Sequence, residues 1–235
     1  MTAAAVAPAR QTFGETFRLL VFGRGLPAAF FGWLAYLQLQ SLIGDIRILP
    51  RPVTPFAVVD GPLPAFLYLL FCAIPVVIYV GRPPPQKRDG RLAPRTLALV
   101  ATVFVLIIGA LPPGPALYTP PPWIRGLSTL LSILAFTTII SALLYLRRSL
   151  SLIPEARRLV VGGPYRMVRH PLYAAEILAT LAFAMASGTV LVVAIQLPFI
   201  AMQLVRSRYE ERLLSEVFPQ YAAYASATPR IVPFL

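Results

Sequence analysis

A compact group of polar residues precedes an apolar run in the second half of the chain. The segment GGPYRMVRHPLYAAE, residues 162–176, contains the single histidine, His170, beside Arg169, and Glu176 follows within the apolar run. An imidazole and guanidinium groups at a helix start, where free N–H groups carry partial positive charge, suit a carboxylate or phosphate. These residue types at this spacing therefore predict an anion-binding site beside a helix N-terminus.

The local sequence also predicts how this group is positioned. Gly162-Gly163-Pro164 predicts a turn, because glycine tolerates positive φ and proline fixes its own. Pro171 suits the first helical position, and the residue before a proline is displaced from the α region, so His170 is expected to project at the helix mouth. Glu176 shares a helical face with Tyr173 and is a functional candidate. The alternative is an interfacial glutamate that pairs with an arginine.

A second group of charged and aromatic residues follows at residues 206–234, RSRYEERLLSEVFPQYAAYASATPRIVPF. Leucine and valine recur at helical spacing, so residues 206–217 are predicted to form an amphipathic helix that continues from the preceding span. The adjacent carboxylates of Glu210 and Glu211 point about 100° apart on a helix. We therefore expect one to face a ligand while the other pairs with an arginine. The alternative is a solvated charged face.

The elements that must position these groups are membrane-spanning helices. Of the 235 residues, 57% are apolar and only 13% are charged, and the mean hydropathy is +0.73, which is far from a soluble globular domain. A hydrocarbon core of about 30 Å requires roughly 20 apolar residues per helix. The sequence predicts an all-α polytopic protein with about six transmembrane helices. They are the runs 26–44, 63–80, 96–112 and 126–146, and a helical hairpin over 172–205 that Ser187-Gly188 divides.

The net charge of +12 is explained by membrane topology. With both termini in the cytoplasm, all of the 21 basic residues except Arg47, Arg51 and Arg125 fall in segments that face the cytoplasm. An excess of basic residues in cytoplasmic loops is the rule for membrane proteins. The loops at 82–95 and 147–171 are therefore predicted to be cytoplasmic, with the polar groups at that face. No nucleic-acid partner is required.

The chain is predicted to form a single domain with two unlike halves. Residues 1–146 form four spans with few polar groups, whereas residues 147–235 concentrate arginine, tyrosine and glutamate. Chemistry is therefore expected in the second half. The single cysteine, Cys72, excludes an intramolecular disulfide and a cysteine-based metal site, and we predict no metal. The preference for arginine over lysine favours a bacterial inner-membrane protein.

The two motifs together resemble a known family. GPYRMVRHPLYAAE, then a helical hairpin, then RYEERLLSEVFPQYAAYASATPRIVPF resembles the isoprenylcysteine carboxyl methyltransferase and phospholipid methyltransferase group of membrane enzymes. The likeness covers residues 155–235, although Ala175 and Pro219 stand where glycine is common. It implies S-adenosylmethionine as cofactor at the cytoplasmic face. It also implies methyl transfer to a membrane lipid or prenylated acceptor, either an isoprenylcysteine carboxylate or a phospholipid headgroup.

The resemblance further implies roles for individual residues. The imidazole and guanidinium suit the carboxylate of the cofactor, the paired glutamates its ribose or ammonium, and the tyrosine rings its adenine or sulfonium. Methyl transfer needs positioning and desolvation rather than a nucleophilic triad. Only an amine acceptor would need a base, for which Glu176 and Glu211 are the candidates. Cofactor binding is predicted for Gly163, Pro164, Tyr165, Arg169, His170, Tyr173, Glu210, Glu211 and Tyr221, and catalytic roles for Arg169, Glu176 and Glu211.

Two other interpretations stay open from the sequence. An NADPH-dependent membrane reductase of the sterol-reductase type also has an RH-containing segment in its C-terminal half. In such reductases a tryptophan-rich stretch precedes that segment. This chain lacks the stretch, because its two tryptophans, Trp33 and Trp123, lie far upstream. A non-catalytic transport or scaffold protein would need only lipid-headgroup contacts from the polar groups. Binding of S-adenosylmethionine, of NADPH or of neither separates the three.

The predicted topology can be tested by cysteine labelling. We expect a membrane-impermeant maleimide to modify a cysteine placed at Gln86 only from the cytoplasmic side, because this basic loop should remain inside. The measurement compares intact cells with inverted membrane vesicles. A cysteine at Arg51, in a predicted outer loop, is the control and should react in intact cells. Modification of position 86 in intact cells would overturn the topology.

Overall fold

The computed structural model describes residues 13–110 and 114–233, and helices form nearly all of its regular structure. Short strands β1 (Lys87–Arg88) and β2 (Glu155–Ala156) pair in antiparallel orientation. The predicted all-α polytopic fold is confirmed. The helices are α1 (Phe13–Arg18), α2 (Leu26–Arg47), α3 (Pro55–Asp60), α4 (Pro62–Val80), α5 (Leu92–Ala110), α6 (Pro122–Leu146), α7 (Pro171–Ser187), α8 (Val190–Ala194), α9 (Gln196–Val217) and α10 (Tyr221–Ala227).

Several helical segments are long and apolar enough to cross a membrane. In hydrocarbon every backbone N–H and C=O must be satisfied within the protein, which a continuous helix achieves. The four long segments are Leu19–Arg47, Ala57–Val80, Pro122–Ser149 and Val190–Val217, and the shorter apolar helices are Leu92–Phe104 and Pro171–Ser187. The chain is a multi-pass integral membrane protein. Residues 111 and 112 of the predicted span 96–112 lie outside the described residues.

Proline sets the start of three helices that shape the interior. Helices α4, α6 and α7 begin at Pro62, Pro122 and Pro171. The first helical N–H has no intrahelical partner, so proline loses nothing there and supplies a helical φ. The placement of Pro171 confirms the predicted helix start, and His170 directly precedes it with φ −126°.

The predicted helical hairpin is present, with its turn at Gly188. Helix α7 ends at Ser187, and Gly188 adopts a left-handed φ of 62°. The turn rests on the preceding loop, since the N–H of Leu117 donates to the carbonyl of Gly188 over 2.8 Å. The chain then runs through α8 into α9, which continues without a break to Val217. The helix predicted at 206–217 is therefore confirmed as an extension of the last span.

The helices pack into a bundle in which α2 contacts α4, α4 contacts α6, and α6 contacts α7, while α9 lies against α5 and α7. Aromatic rings line the space among α2, α4 and α6. The Phe31 ring stacks on Tyr79 with 5.9 Å between centroids, and Tyr68 stacks on Phe71 at 5.7 Å. These apolar contacts form the wall against which the second half of the chain packs.

The two loops predicted to be cytoplasmic meet at the same end of the bundle. Strand β1 in one loop pairs with β2 in the other. The N–H of Gln86 also donates to the carbonyl of Ala156 over 2.8 Å. This shared end carries most of the charged side chains described below.

The hairpin turn provides a stability test. We expect Gly188→Ala to destabilise the protein by about 2 kcal/mol, because left-handed backbone costs an L-residue roughly 1–2 kcal/mol. An added Cβ would also overlap the carbonyl oxygen of Tyr118. The measurement is thermal unfolding in a neutral detergent.

The matched control is Gly126→Ala. A Cβ at position 126 meets no described atom within 4 Å, and alanine favours a helix over glycine by roughly 0.5–1 kcal/mol. This variant should be as stable as the wild type or slightly more so. Equal unfolding temperatures for the two variants would show that the turn tolerates a side chain.

Candidate functional site

A cavity of about 680 Å³ connects the polar end of the bundle with its apolar interior. This volume lies in the range of small-molecule binding sites. The apolar part lies among α2, α4 and α6, and the polar part lies between α7, α9 and α10. Residues at the apolar end include Phe30, Phe31, Leu34, Tyr68, Phe71 and Phe136, and those at the polar end include Tyr165, Arg169, His170, Tyr173, Glu176, Arg206, Glu210, Tyr221 and Tyr224.

His170 lies at the mouth of α7 between two carboxylates of α9. Its Nε2 is 3.2 Å from Oε1 of Glu211, and its Nδ1 is 3.8 Å from Oε2 of Glu210. The ring stacks on Tyr173 with 5.5 Å between centroids and an interplanar angle of 3°. The backbone N–H of His170 donates to the carbonyl of Arg230 over 3.0 Å. The imidazole therefore faces acidic groups that its neighbours in sequence do not reveal.

Glu211 is the member of the carboxylate pair that binds arginine. Its Oε2 accepts a hydrogen bond from Nη2 of Arg230 over 2.7 Å. Nε of Arg169 lies 3.1 Å from Oε1 of Glu211, but its N–H does not point at that oxygen, so this contact is ionic. Nη1 of Arg169 instead donates to the carbonyl of Ala225 over 2.8 Å. Glu210 lines the cavity, whereas Glu211 is absent from the described lining.

A buried polar network joins α7 to α9 below the histidine. The hydroxyl of Tyr173 donates to Glu210, and Nε2 of Gln203 donates to Glu176. Nη1 of Arg206 donates to Oε1 of Gln203 over 3.0 Å, and its guanidinium lies 4.8 Å from the centre of the Tyr173 ring. Glu176 therefore connects to an arginine through an amide.

Three tyrosines of the polar end keep their hydroxyl protons. Burial raises the pKa of Tyr224 to about 12, and it raises the pKa values of Tyr165 and Tyr221 above their usual range. The hydroxyl of Tyr224 donates to the carbonyl of Tyr165 over 2.6 Å. The Tyr221 hydroxyl is buried and has no hydrogen-bond partner among the described residues. It is a donor available to a ligand.

Two predicted binding residues shape the loop rather than line the cavity. Gly163 has a φ of 58°, and a Cβ there would overlap the Tyr145 ring. Pro164 follows it in a short 3₁₀ turn. Neither residue is part of the described lining, and neither is Arg166 of the same motif, which is exposed.

The sequence did not reveal Gln203 and Arg206 as site residues. Both lie on α9, and an arginine that follows an apolar run, as Arg206 does, indicates membrane topology rather than a site. Gln203 and Arg206 are three residues apart, and Arg206 and Glu210 are four apart. Residues at these spacings share a helical face, and this spacing was the signal available in the sequence.

A second charged cluster surrounds Glu155, which the motifs do not include. Its Oε2 accepts hydrogen bonds from Nη2 of Arg157 over 2.7 Å and from the Ser151 hydroxyl over 2.6 Å. Arg88 lies 2.8 Å and Arg82 3.7 Å from its carboxylate oxygens. Burial alone would raise the pKa of Glu155, but the charge of Arg157 and these hydrogen bonds outweigh burial and hold the pKa below its usual value.

A family model matches a part of the chain that contains much of the candidate site. Residues 123–221 match the family model described as phospholipid methyltransferase. This region is therefore a domain of the phospholipid methyltransferase family, and the family resemblance predicted from the two motifs is confirmed. The match begins at residue 123, near the start of α6.

Two bacterial proteins are similar to the chain. The cobalt-zinc-cadmium resistance protein CzcN of Cupriavidus metallidurans is 38% identical over 78 residues, which are 33% of this chain and 36% of that protein. The nickel-cobalt-cadmium resistance protein NccN of Alcaligenes xylosoxydans xylosoxydans is 37% identical over 82 residues, 34% of this chain and 38% of that protein. The chain thus spans little more than a third of the length of these relatives. Within residues 13–110 and 114–233, no group of three or more His, Cys, Asp or Glu side chains is arranged to hold a metal ion.

The depressed pKa of Glu155 makes a pH-dependent prediction. A carboxyl whose pKa is lower in the folded than in the unfolded state stabilises the fold above its unfolded pKa, and this stabilisation is lost as the pH falls through the folded pKa. At pH 7 we expect Glu155→Gln to cost about 3 kcal/mol, because it leaves buried guanidinium groups without their counter-charge. This difference from the wild type should shrink as the pH falls below about 4.5, near the ordinary glutamate value. The measurement is thermal unfolding of both proteins from pH 7 to pH 3, and a constant difference would contradict the assignment.

Proposed function

We propose that this protein is an S-adenosylmethionine-dependent membrane methyltransferase that acts on a lipid or lipidated acceptor. The observation that carries this proposal is the cavity, which joins the polar residues of the family motifs to an apolar interior formed by other helices. A polar cofactor and an acceptor with an apolar tail require one cavity with a polar part and an apolar part. The family match over residues 123–221 supports the same activity.

The residues at the polar end fit the chemistry of the cofactor. The carboxylate of Glu210 lines the cavity and suits the ribose hydroxyls or the ammonium. His170 and Arg169 also line it and suit the carboxylate, while the rings of Tyr165 and Tyr221 suit the adenine or sulfonium. The free hydroxyl of Tyr221 is a further donor. When bound, S-adenosylmethionine supplies an electrophilic methyl group.

The protein contributes positioning and exclusion of water. Glu211 holds Arg169, His170 and Arg230 through its two oxygens, so we assign it to the orientation of the groups that contact the cofactor. The loop residues Gly163 and Pro164 set the turn that carries them. The apolar walls of the cavity keep the reacting groups away from bulk water.

The acceptor enters, in this proposal, through the apolar part of the cavity. A carboxylate acceptor needs no base, whereas an amine acceptor must lose a proton. Glu176 lines the cavity and is the base that we assign for an amine. Arg206 and Gln203 would orient this carboxylate.

The finer topology is part of the same proposal. We place six spans in the membrane, with α5 and α7 as the shorter ones, and both termini in the cytoplasm. The site then lies at the cytoplasmic face of a bacterial inner membrane, with residues 1–146 as the membrane region and residues 147–235 as the catalytic half. The pairing of β1 with β2 supports a common side for the two basic loops.

Ligand binding to the purified protein tests the activity. By linkage, S-adenosylmethionine should stabilise the detergent-solubilised protein by roughly 2.7 kcal/mol at a concentration one hundred times its dissociation constant. His170→Ala and Glu211→Gln should each weaken binding by roughly 1.5–3 kcal/mol, the cost of losing hydrogen bonds to charged groups. The measurement is titration calorimetry, followed by methyl transfer to a prenylcysteine and to phospholipid vesicles.

The control is Glu216→Gln on the same helix, because Glu216 pairs with Lys87 at the surface over 2.9 Å. It should bind S-adenosylmethionine as the wild type does. Stabilisation by NADPH and not by S-adenosylmethionine would favour a reductase, and binding of neither would favour a non-catalytic protein. If His170→Ala bound S-adenosylmethionine with unchanged affinity, the loop that carries His170 would not be part of the cofactor site.

A further inference from the structure

Arg157 presents a buried charged donor that the protein does not satisfy. Its Nε donates to the carbonyl of Pro83 over 3.0 Å, and its Nη2 donates to Glu155 over 2.7 Å. The side chain is 2% exposed. Its Nη1 is buried without a partner among the described residues, and Arg157 lines the cavity. A buried donor of this kind is costly unless an acceptor reaches it, and the cavity that Arg157 lines is the space from which an acceptor can approach this side chain.

The charge around Arg157 is positive in excess. Glu155 is the carboxylate shared by Arg157, Arg88 and Arg82. In the adjoining loop, Asp89 is paired with a different arginine, Arg91, over 2.6 Å. One carboxylate therefore faces three guanidinium groups, and a bound anion would reduce the imbalance.

Arg157 also lies where the two parts of the cavity meet. The preceding residue, Ala156, belongs to a buried apolar cluster with Leu213 and Tyr221 at the polar end. Leu150, in the same loop, packs in the apolar cluster with Phe31. An amphiphile whose tail occupies the apolar part would therefore bring its headgroup to this position.

We infer, on the basis of the proposed function, that Arg157 determines acceptor specificity by binding an anionic headgroup oxygen, of a phosphate or a carboxylate, on an apolar chain. The fixed Nε and Nη2 contacts hold the guanidinium plane, and Nη1 donates to the headgroup. The arginine touches the acceptor and not the cofactor. Its loss therefore impairs acceptor binding and leaves S-adenosylmethionine binding intact.

Binding of simple amphiphiles tests this assignment without knowledge of the natural acceptor. The probes are dodecyl phosphate, laurate, dodecanol and inorganic phosphate, titrated calorimetrically into the full-length protein in a neutral detergent. Wild type should bind one or both of the anionic amphiphiles more tightly than dodecanol or inorganic phosphate. Arg157→Gln should weaken anionic-amphiphile binding at least about tenfold, the loss expected for a hydrogen bond to a charged group. Its affinity for S-adenosylmethionine should stay within about twofold of the wild type.

Arg88→Gln is the matched control. Arg88 pairs with the same carboxylate, but its side chain is 38% exposed and it is not part of the described cavity lining. This variant should bind every probe as the wild type does. Should Arg157→Gln fail to accumulate, Arg157→Lys gives the same comparison, since an ammonium keeps the charge but cannot make all three contacts.

Each result decides the assignment. Wild-type affinity for anionic amphiphiles in Arg157→Gln, or equal binding of dodecanol by the wild type, would overturn it. Equal binding of inorganic phosphate would show a site for a free anion instead, and a parallel loss of S-adenosylmethionine affinity would show a purely structural role. If the wild type binds the anionic amphiphiles but not S-adenosylmethionine, the proposed function fails while the anion site stands.

Discussion

The carboxylate of Glu211 holds together three segments that are distant in sequence. It contacts Arg169 and His170 at the mouth of α7 and Arg230 beyond α10. Backbone hydrogen bonds join the same segments, because the N–H groups of residues 169 and 170 donate to carbonyls of the C-terminal tail. These contacts hold the tail against α9, and the neighbouring Glu210 lines the cavity. The arrangement of the polar end of the cavity therefore depends on the partly buried carboxylate of Glu211.

Most of the fold followed from the sequence because membrane spans obey a simple constraint. Apolar runs of sufficient length must form helices in hydrocarbon, and proline and glycine mark their ends. The start of α7 at Pro171 and the turn at Gly188 are both set by local backbone chemistry. The sequence did not predict the pairing of β1 with β2, because each strand has only two residues and such a short segment shows no strand periodicity. Their contact arises from the way the helices bring two loops to one end.

The candidate site was foreseen in composition but not in its internal arrangement. The motifs brought His170, Tyr173 and Glu210 to attention, and the structure places these three side chains together. The sequence could not show which of the two glutamates pairs with arginine and which lines the cavity. That depends on where the C-terminal tail contacts α9, which only the structure shows. Arg206 was missed for a related reason, since an arginine after an apolar run is usually a topology signal. Burial between two helices distinguishes it from such an arginine.

The cavity is lined both by the part of the chain that matches the family model and by helices outside that part. Residues 123–221 supply α6, α7 and most of the polar groups. Helices α2 and α4 precede that region and supply the aromatic wall of the apolar part, including Phe31 and Phe71. Changes in these two helices would alter the shape available to an acceptor tail without touching Glu210 or His170. In the proposed enzyme, cofactor binding and acceptor choice are therefore separable, and Arg157 lies at their boundary because its loop packs against both parts.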